Sequence, residues 1–151
     1  MMIMLALGAL LVSSSPEMGF SYLLEESNLV VVGTYLPPSQ ETGAFGYVIV
    51  KSVVAGKRMG VADRVKIESS WPKEYYSFPR PGNGLFLLRK CGTRVEIAGA
   101  GQGAYDSMEE GYMLQIDVEE MATVIPLPQV REIILSSGRL AVRIPKTCEA
   151  A

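Results

Sequence analysis

Four apolar runs rich in β-branched residues follow one another between residues 29 and 88. They read LVVVGTYL, FGYVIVKSVV, RVKI and GLFLL, and they are separated by Gly, Pro and polar turn residues. No repeat of apolar residues at the helical period interrupts the series. Short β-branched runs bounded by turn residues predict the strands of a small antiparallel barrel or sandwich.

The same pattern predicts the individual elements. Strands are predicted at 29–36, 44–54, 64–68, 85–88 and 95–98, and short helices at 20–27 and 128–138. The second strand is apolar on both faces, which indicates that both faces are buried or that the strand coils sharply. Alternation of apolar and polar residues at 114–118 and 140–144 predicts an exposed hairpin arm and a terminal strand.

The N-terminal segment is apolar for twelve residues and then becomes small and polar. This apolar run is too short to span a bilayer. It favours a signal peptide over residues 1–15, cleaved near Ser14 or Ser15, although the usual Lys or Arg before the run is missing. The alternative is a buried first strand or helix. A single domain is predicted over 16–151, because the chain has 151 residues and 48% of them are apolar.

Charge is unevenly distributed along the chain, although the net charge is only −2. Residues 51–94 hold ten of the fourteen basic residues and three of the sixteen acidic ones, so this segment is +7 and the remainder is −9. Such asymmetry favours an anionic partner. The alternative is that the two segments pair with each other in the fold and that the cations are solvated.

The residue types present give little support to catalysis or metal binding. The chain has no His, which removes the commonest general base and metal ligand. Cys91 and Cys148 are the only cysteines, too few for a zinc site without His. They either form one disulfide in an oxidising compartment or remain two separate thiols. We therefore predict neither a metal nor a cofactor.

Three motifs match part of a known binding or catalytic motif but lack the other residues or elements that the motif requires. The loop at 99–104 fits G-x-G-x-x-A, yet Gly111 interrupts the helix that dinucleotide binding requires, which favours a hairpin or barrel-rim turn. Ser70 and Lys73 have the S-x-x-K spacing of serine acylases without the companion motifs. Three adjacent glutamate pairs point to different faces, so they indicate no paired acid–base site.

One predicted loop interleaves aromatic residues with cations. Aromatic rings beside cations can stack bases or sugars and attract anionic backbones, as in OB-folds. The alternative is that Trp71 and Phe78 fill one end of the barrel while the cations are solvated. The members of the cluster are Trp71, Lys73, Tyr75, Tyr76, Phe78 and Arg80, with Arg64 and Lys66 on the neighbouring strand.

An acidic helix leads into LVVVGT, and a long strand ends in K-x-V-x-x-G-K. Together with the later strands, these segments resemble secreted bacterial OB-fold domains of the type seen in netrin-like domains and tissue inhibitors of metalloproteases. The resemblance covers about half of the chain, at 29–34, 51–57, 63–67, 84–88 and 99–103. The metalloprotease inhibitors chelate zinc with an N-terminal Cys, whereas this chain has no Cys before Cys91. That inhibitory mechanism is therefore not implied.

The resemblance implies a mainly β fold, with a five-stranded Greek-key barrel over about 28–98. Short N- and C-terminal helices and a C-terminal strand extension over about 104–151 would complete it. It also implies a secreted or periplasmic, non-enzymatic binding module. The predicted partner is an anionic polymer or an acidic protein surface, with nucleic acid only if the chain is cytoplasmic. The alternative function is an OB-type binder of single-stranded nucleic acid or another anionic polymer through loop 71–80, and an enzyme is the third hypothesis.

Overall fold

The computed structural model describes residues 17–56 and 62–140. The predicted signal peptide, the terminal strand after Leu140, and Cys148 lie outside these residues. The chain order is α1 (Phe20–Glu25), β1 (Leu29–Leu36), β2 (Tyr47–Gly56), β3 (Arg64–Lys66), a 3-10 turn (Lys73–Tyr75), β4 (Gly82–Cys91), β5 (Arg94–Ile97), β6 (Ala104–Met108), β7 (Gly111–Leu114), β8 (Thr123–Ile125) and α2 (Leu127–Ser137).

The strands form one eight-stranded sheet, and every strand pair in it is antiparallel. Its order is β3-β2-β1-β4-β6-β7-β8, with β5 paired to β4. The prediction of a mainly β fold is therefore confirmed. A five-stranded Greek-key barrel is not confirmed, because the strands do not close into a continuous ladder. Only one parallel bridge, Glu68 to Glu96, joins the chain after β3 to β5.

One edge of β4 pairs with β1, and its other edge is shared by two strands, which is why the sheet continues past five strands. Its first half, at Gly84–Phe86, pairs with β6, and its second half, at Leu88–Cys91, pairs with β5. The hairpin of β6 and β7 then carries β8 at the far end of the sheet. These three strands extend the sheet beyond the predicted barrel.

The sheet carries a buried core on each face, although within β2 itself only Val48 and Val50 are buried and its pairing with β1 is interrupted by register shifts. One face carries the first core, which consists of Leu29, Val31, Tyr35, Val48, Val50, Val65, Ile67, Phe86, Leu88, Val95 and Ile97. The opposite face carries the second core beneath the two helices, which consists of Phe20, Leu23, Leu24, Val30, Leu85, Leu87, Ala98, Leu114, Val130 and Ile134. Successive residues of a strand point to opposite faces, so β1 contributes alternately to both cores.

One predicted element differs from the structure. Alternation at 114–118 predicted a strand, but β7 ends at Leu114 and the chain then turns. The side-chain amide of Gln115 causes this turn, because it donates to the backbone carbonyls of Val118 (3.2 Å) and Glu120 (2.9 Å). The predicted helix at 128–138 is present as α2, and it ends where Gly138 adopts a left-handed φ of 61°.

Helix α1 lies across the second face, where its position defines the groove described below. It buries Phe20, Leu23 and Leu24 and leaves Tyr22 exposed. None of the described helices has the length and apolar character needed to cross a bilayer. Cys91, at the end of β4, is buried and disulfide-bonded.

Candidate functional site

The structure separates the aromatic residues of the predicted cluster into two groups. Tyr76 is 7% exposed, and its ring lies 4.8 Å from the rings of both Phe45 and Phe78, edge to face in each case. Such pairs add to the stabilisation that burial gives. Tyr76 therefore packs at the margin of the first core against Phe78, which is itself 40% exposed, whereas Trp71 lies elsewhere and keeps 38% of its surface exposed.

The glycine-rich turn at 99–103 holds this aromatic packing in place. The Ser77 N–H donates to the carbonyl of Ala100 at 2.8 Å. Gly101 has a φ of 90°, and a Cβ built on it would lie 2.1 Å from the Ser77 oxygen. The turn leads into β6 and not into a helix. Its glycines therefore allow close approach of two backbones, as expected for a rim turn.

The cations of the cluster lie mainly on β3 and in the loop. Arg64 and Lys66 flank the buried Val65 and are exposed. They stand opposite Ile49 and Tyr47 of β2, so one aromatic ring, one aliphatic side chain and two cations share one face of the β2–β3 pair. Lys73 is exposed and Tyr75 half-buried in the 3-10 turn. Arg80 is exposed and lies 3.8 Å from Asp106, a pair that contributes little.

Trp71 lines a polar pocket of about 130 Å³. Its walls come from α1, from the chain after β3 and from the ends of β4 and β5. We call it the Trp71 pocket and define it by Tyr22, Glu26, Ser70, Trp71, Arg89 and Glu96. Arg89 Nη1 lies 3.4 Å from Glu26 Oε2, so these two charges largely offset each other.

Glu96 is the most buried charged group of the Trp71 pocket. Its Oε1 accepts a hydrogen bond from the Ser70 hydroxyl at 3.1 Å. Its Oε2 lies 3.6 Å from Arg94 Nη2, which is an ion pair but too long for a hydrogen bond. Arg94 Nε in turn lies 3.0 Å from Glu68 Oε2. A buried carboxylate with one oxygen lacking a hydrogen bond is costly to maintain, and such groups are common at functional sites.

The environment of Glu96 also affects a neighbouring phenol. Burial raises the pKa of Tyr76 far above its ordinary value, and the charges of Tyr35 and Glu96 raise it further. Within the described residues the Tyr76 hydroxyl has no hydrogen-bond partner. Tyr76 is therefore neutral at physiological pH.

A larger groove of about 610 Å³ adjoins the Trp71 pocket, because Met18 and Tyr22 line both. We call it the acidic groove, lined by Glu17, Met18, Gly19, Tyr22, Asp117, Val118, Glu119 and Glu120. Its lining contains four carboxylates and, among the residues that the structure describes, no basic one. None of these acids forms an ion pair within the part of the chain that the structure describes.

The acidic groove is held in shape by backbone contacts. The N–H groups of Phe20 and Ser21 donate to the carbonyls of Gln115 (2.8 Å) and Ile116 (3.0 Å). A Cβ on Gly19 would lie 2.7 Å from the Ile116 oxygen, so only glycine allows this approach. The start of α1 and the turn at 115–120 therefore form one rigid unit.

Sequence reasoning found Trp71 but missed its neighbours. Tyr22 lies in α1 and Met18 just before it, both far from Trp71 in sequence, and Glu96 lies in β5. The position of Tyr47 could have been predicted from the sequence, because it alternates with the buried Val48 on β2 and therefore lies on the opposite face. In the described residues, no group of three or more His, Cys, Asp or Glu side chains could hold a metal ion.

Comparison of the chain with protein-family models, curated proteins and solved structures gives no match. The function must therefore be inferred from the geometry of the site itself.

Proposed function

We propose that this chain is a secreted or periplasmic, non-enzymatic binding module that contacts its ligand at the Trp71 pocket. One observation carries the proposal. Trp71, the only tryptophan of the chain, keeps 38% of its surface exposed and lines a pocket together with the buried carboxylate of Glu96. An exposed aromatic ring beside a few fixed polar groups is typical of a binding site.

The strand pairings support an OB-type unit over about 28–98. β1 pairs with β2, β2 with β3, β1 with β4 and β4 with β5. The Glu68 N–H donates to the Val95 carbonyl at 3.0 Å, which links the end of β3 to β5. These contacts support the strand order 1-2-3-5-4 of a partly open five-stranded barrel.

Secretion is supported by two independent features. Cys91 is disulfide-bonded, and disulfides persist in oxidising compartments but are rare in the cytoplasm. The apolar segment at 1–15 has the pattern of a signal peptide. Mass spectrometry of the native protein tests both features. We expect an N-terminus near residue 15 and a bridge between Cys91 and Cys148, whereas an intact Met1 with free thiols would contradict secretion.

Ligand contact at the Trp71 pocket is testable by fluorescence, because the signal comes from a single tryptophan. We expect saccharides, peptides or anionic polymers from a ligand panel to shift Trp71 emission in a saturable way. Trp71→Phe should remove affinity as measured by calorimetry while leaving the unfolding transition in place. An emission spectrum that no member of the panel changes would contradict the proposal.

A second candidate function is binding of an anionic polymer on the β2–β3 face. The observation that favours it is the register that sets Tyr47 opposite Lys66 and Ile49 opposite Arg64. OB-folds bind oligonucleotides and oligosaccharides on this face. Arg64→Gln with Lys66→Gln should weaken polymer binding and reduce its salt dependence. Arg80→Gln is the control, because Arg80 already lies beside Asp106.

A further inference from the structure

We propose that the acidic groove binds a basic amphipathic segment of a partner protein, in which Lys or Arg residues alternate with apolar ones. The inference rests on the proposed function, because Met18 and Tyr22 make the acidic groove continuous with the Trp71 pocket. It goes further by specifying the chemistry of the partner. It also assigns a role to a surface outside the basic part of the chain.

The charge of the groove favours a cationic occupant. Glu17 enters from the start of the described chain, while Asp117, Glu119 and Glu120 enter from the turn at 115–120. Among the described residues no cation lines the groove or pairs with these carboxylates, so together they make the groove electronegative. They lie on two separate chain segments along the groove. A segment with several spaced cations matches this distribution.

The floor of the groove requires an occupant that is also apolar. Tyr22 is 51% exposed and Val118 is 50% exposed, and Met18 lies between the two cavities. Lys and Arg side chains can cover such a floor with their methylene stems while their charged ends reach the carboxylates. Leucine or valine residues between the cations would cover the remaining apolar surface.

Preorganisation favours specific binding at this groove. The Gln115 side chain fixes the turn that carries three of the four acids, and two backbone hydrogen bonds join that turn to α1. A partner therefore does not have to order the turn on binding, which removes a major cost of association. Tyr22 is held on the outer side of α1 by the burial of Leu23 and Leu24.

Calorimetry with a defined peptide tests the inference. The probe is a short peptide of alternating Lys-Lys and Leu-Leu pairs, and the same peptide with Glu in place of Lys is its charge-reversed counterpart. We expect the lysine peptide to bind the full mature chain and its counterpart not to bind. Tyr22→Ser should weaken binding of the lysine peptide, and a higher salt concentration should weaken that binding as well.

The chain offers a matched pair of variants that separates a site from general charge. Glu119→Gln with Glu120→Gln removes two charges in the groove, and Glu109→Gln with Glu110→Gln removes two exposed charges between β6 and β7. We expect the first pair to weaken peptide binding about fivefold, the sum of two exposed ion pairs, and the second to leave it unchanged. Equal weakening by both pairs would overturn the inference.

Two further results keep this test separate from that of the proposed function. If the peptide binds normally while Trp71 emission responds to no ligand, the Trp71 pocket is contradicted and the acidic groove is not. If the free protein sediments as a dimer that Glu119→Gln with Glu120→Gln disperses, the occupant is a second copy of this chain. That outcome would overturn the proposal of a basic partner segment.

Discussion

Asn28 extends the pairing of β1 onto β4 by bonding its side chain to the backbone of Lys90. Its Nδ2 donates to the Lys90 carbonyl and its Oδ1 accepts from the Lys90 N–H, each at 2.8 Å. The Asn28 N–H also donates to the Leu88 carbonyl. The side chain therefore acts as one more residue of the strand at the position where β4 begins to pair with β5.

Replacing Asn28 by Ala should destabilise the fold by about 2–3 kcal/mol, because two backbone groups would lose their partners in a mostly buried position. Urea denaturation measures the change. Asn83→Ala is the matched control, since Asn83 accepts two hydrogen bonds but is exposed, and it should cost about 0.5 kcal/mol. Equal losses of unfolding free energy in the two variants would show that the buried Asn28 hydrogen bonds stabilise the fold no more than the exposed ones of Asn83.

Gly101→Ala should destabilise the fold by about 3 kcal/mol or more, because strain at positive φ adds to a clash with a neighbouring backbone. The added Cβ would lie 2.1 Å from the Ser77 oxygen and 2.9 Å from Tyr76 Cζ. Gly82→Ala separates the two effects, since Gly82 also has positive φ but has nothing within 4 Å of the added Cβ. Its expected cost is about 1–2 kcal/mol. If both variants lose the same stability, the close approach of Gly101 to Ser77 does not add to the cost of the positive φ, and the prediction is wrong.

Alkaline pH should destabilise the fold through its buried tyrosines. Burial raises the pKa of Tyr35 from 10.0 to about 12, so the unfolded chain releases this proton first. The stabilisation is fully present below pH 10 and is lost as the pH rises towards 12, which amounts to about 3 kcal/mol for Tyr35. Burial shifts the pKa values of Tyr76 and Tyr105 in the same direction.

Unfolding free energies measured across this alkaline range test the prediction. Tyr35→Phe removes one contribution and should make the decline with pH shallower, although it also removes the hydrogen bond from Tyr35 to the Phe45 carbonyl. The slopes should therefore be compared and not the absolute stabilities. Tyr76→Phe should also make the slope shallower, and it loses no hydrogen bond within the described residues. Unchanged slopes in both variants would contradict the prediction.

Many of the strands could be predicted from the sequence, because at those strands the local residue pattern agrees with the pairing in the folded protein. The first strand was predicted at its observed bounds, since Asn28 precedes it and Pro37 follows it. β4 begins earlier than predicted, at Gly82, because Gly82 and Asn83 have the composition of a turn. Pairing with Tyr35 and Thr34 of β1 outweighs that local preference.

The candidate site was less predictable, because it depends on where α1 lies on the sheet. Trp71 was a candidate because it is the only tryptophan, and the sequence grouped it with the cations of the same loop, Lys73 and Arg80. The structure instead associates it with Tyr22, Glu26 and Glu96, none of which is near it in sequence. No local periodicity encodes such a contact between distant segments.

Glu96→Gln should weaken ligand binding at the Trp71 pocket by about tenfold, because a hydrogen bond to a charged group is worth about 1.5 kcal/mol or more. The fold should persist, since the glutamine oxygen can still accept from the Ser70 hydroxyl. Glu68→Gln is the matched control. Glu68 pairs with the same arginine, Arg94, but does not line the pocket.

Trp71 fluorescence titration with the best ligand of the panel measures both variants, and urea denaturation checks that each is folded. A large loss of affinity in Glu96→Gln, with wild-type affinity in Glu68→Gln, would place the carboxylate of Glu96 in contact with ligand. Equal losses would mean that the Arg94 ion-pair cluster acts through the stability of the β3–β5 seam. In that case Glu96 is a structural residue, and Trp71 and Tyr22 alone form the contact surface of the pocket.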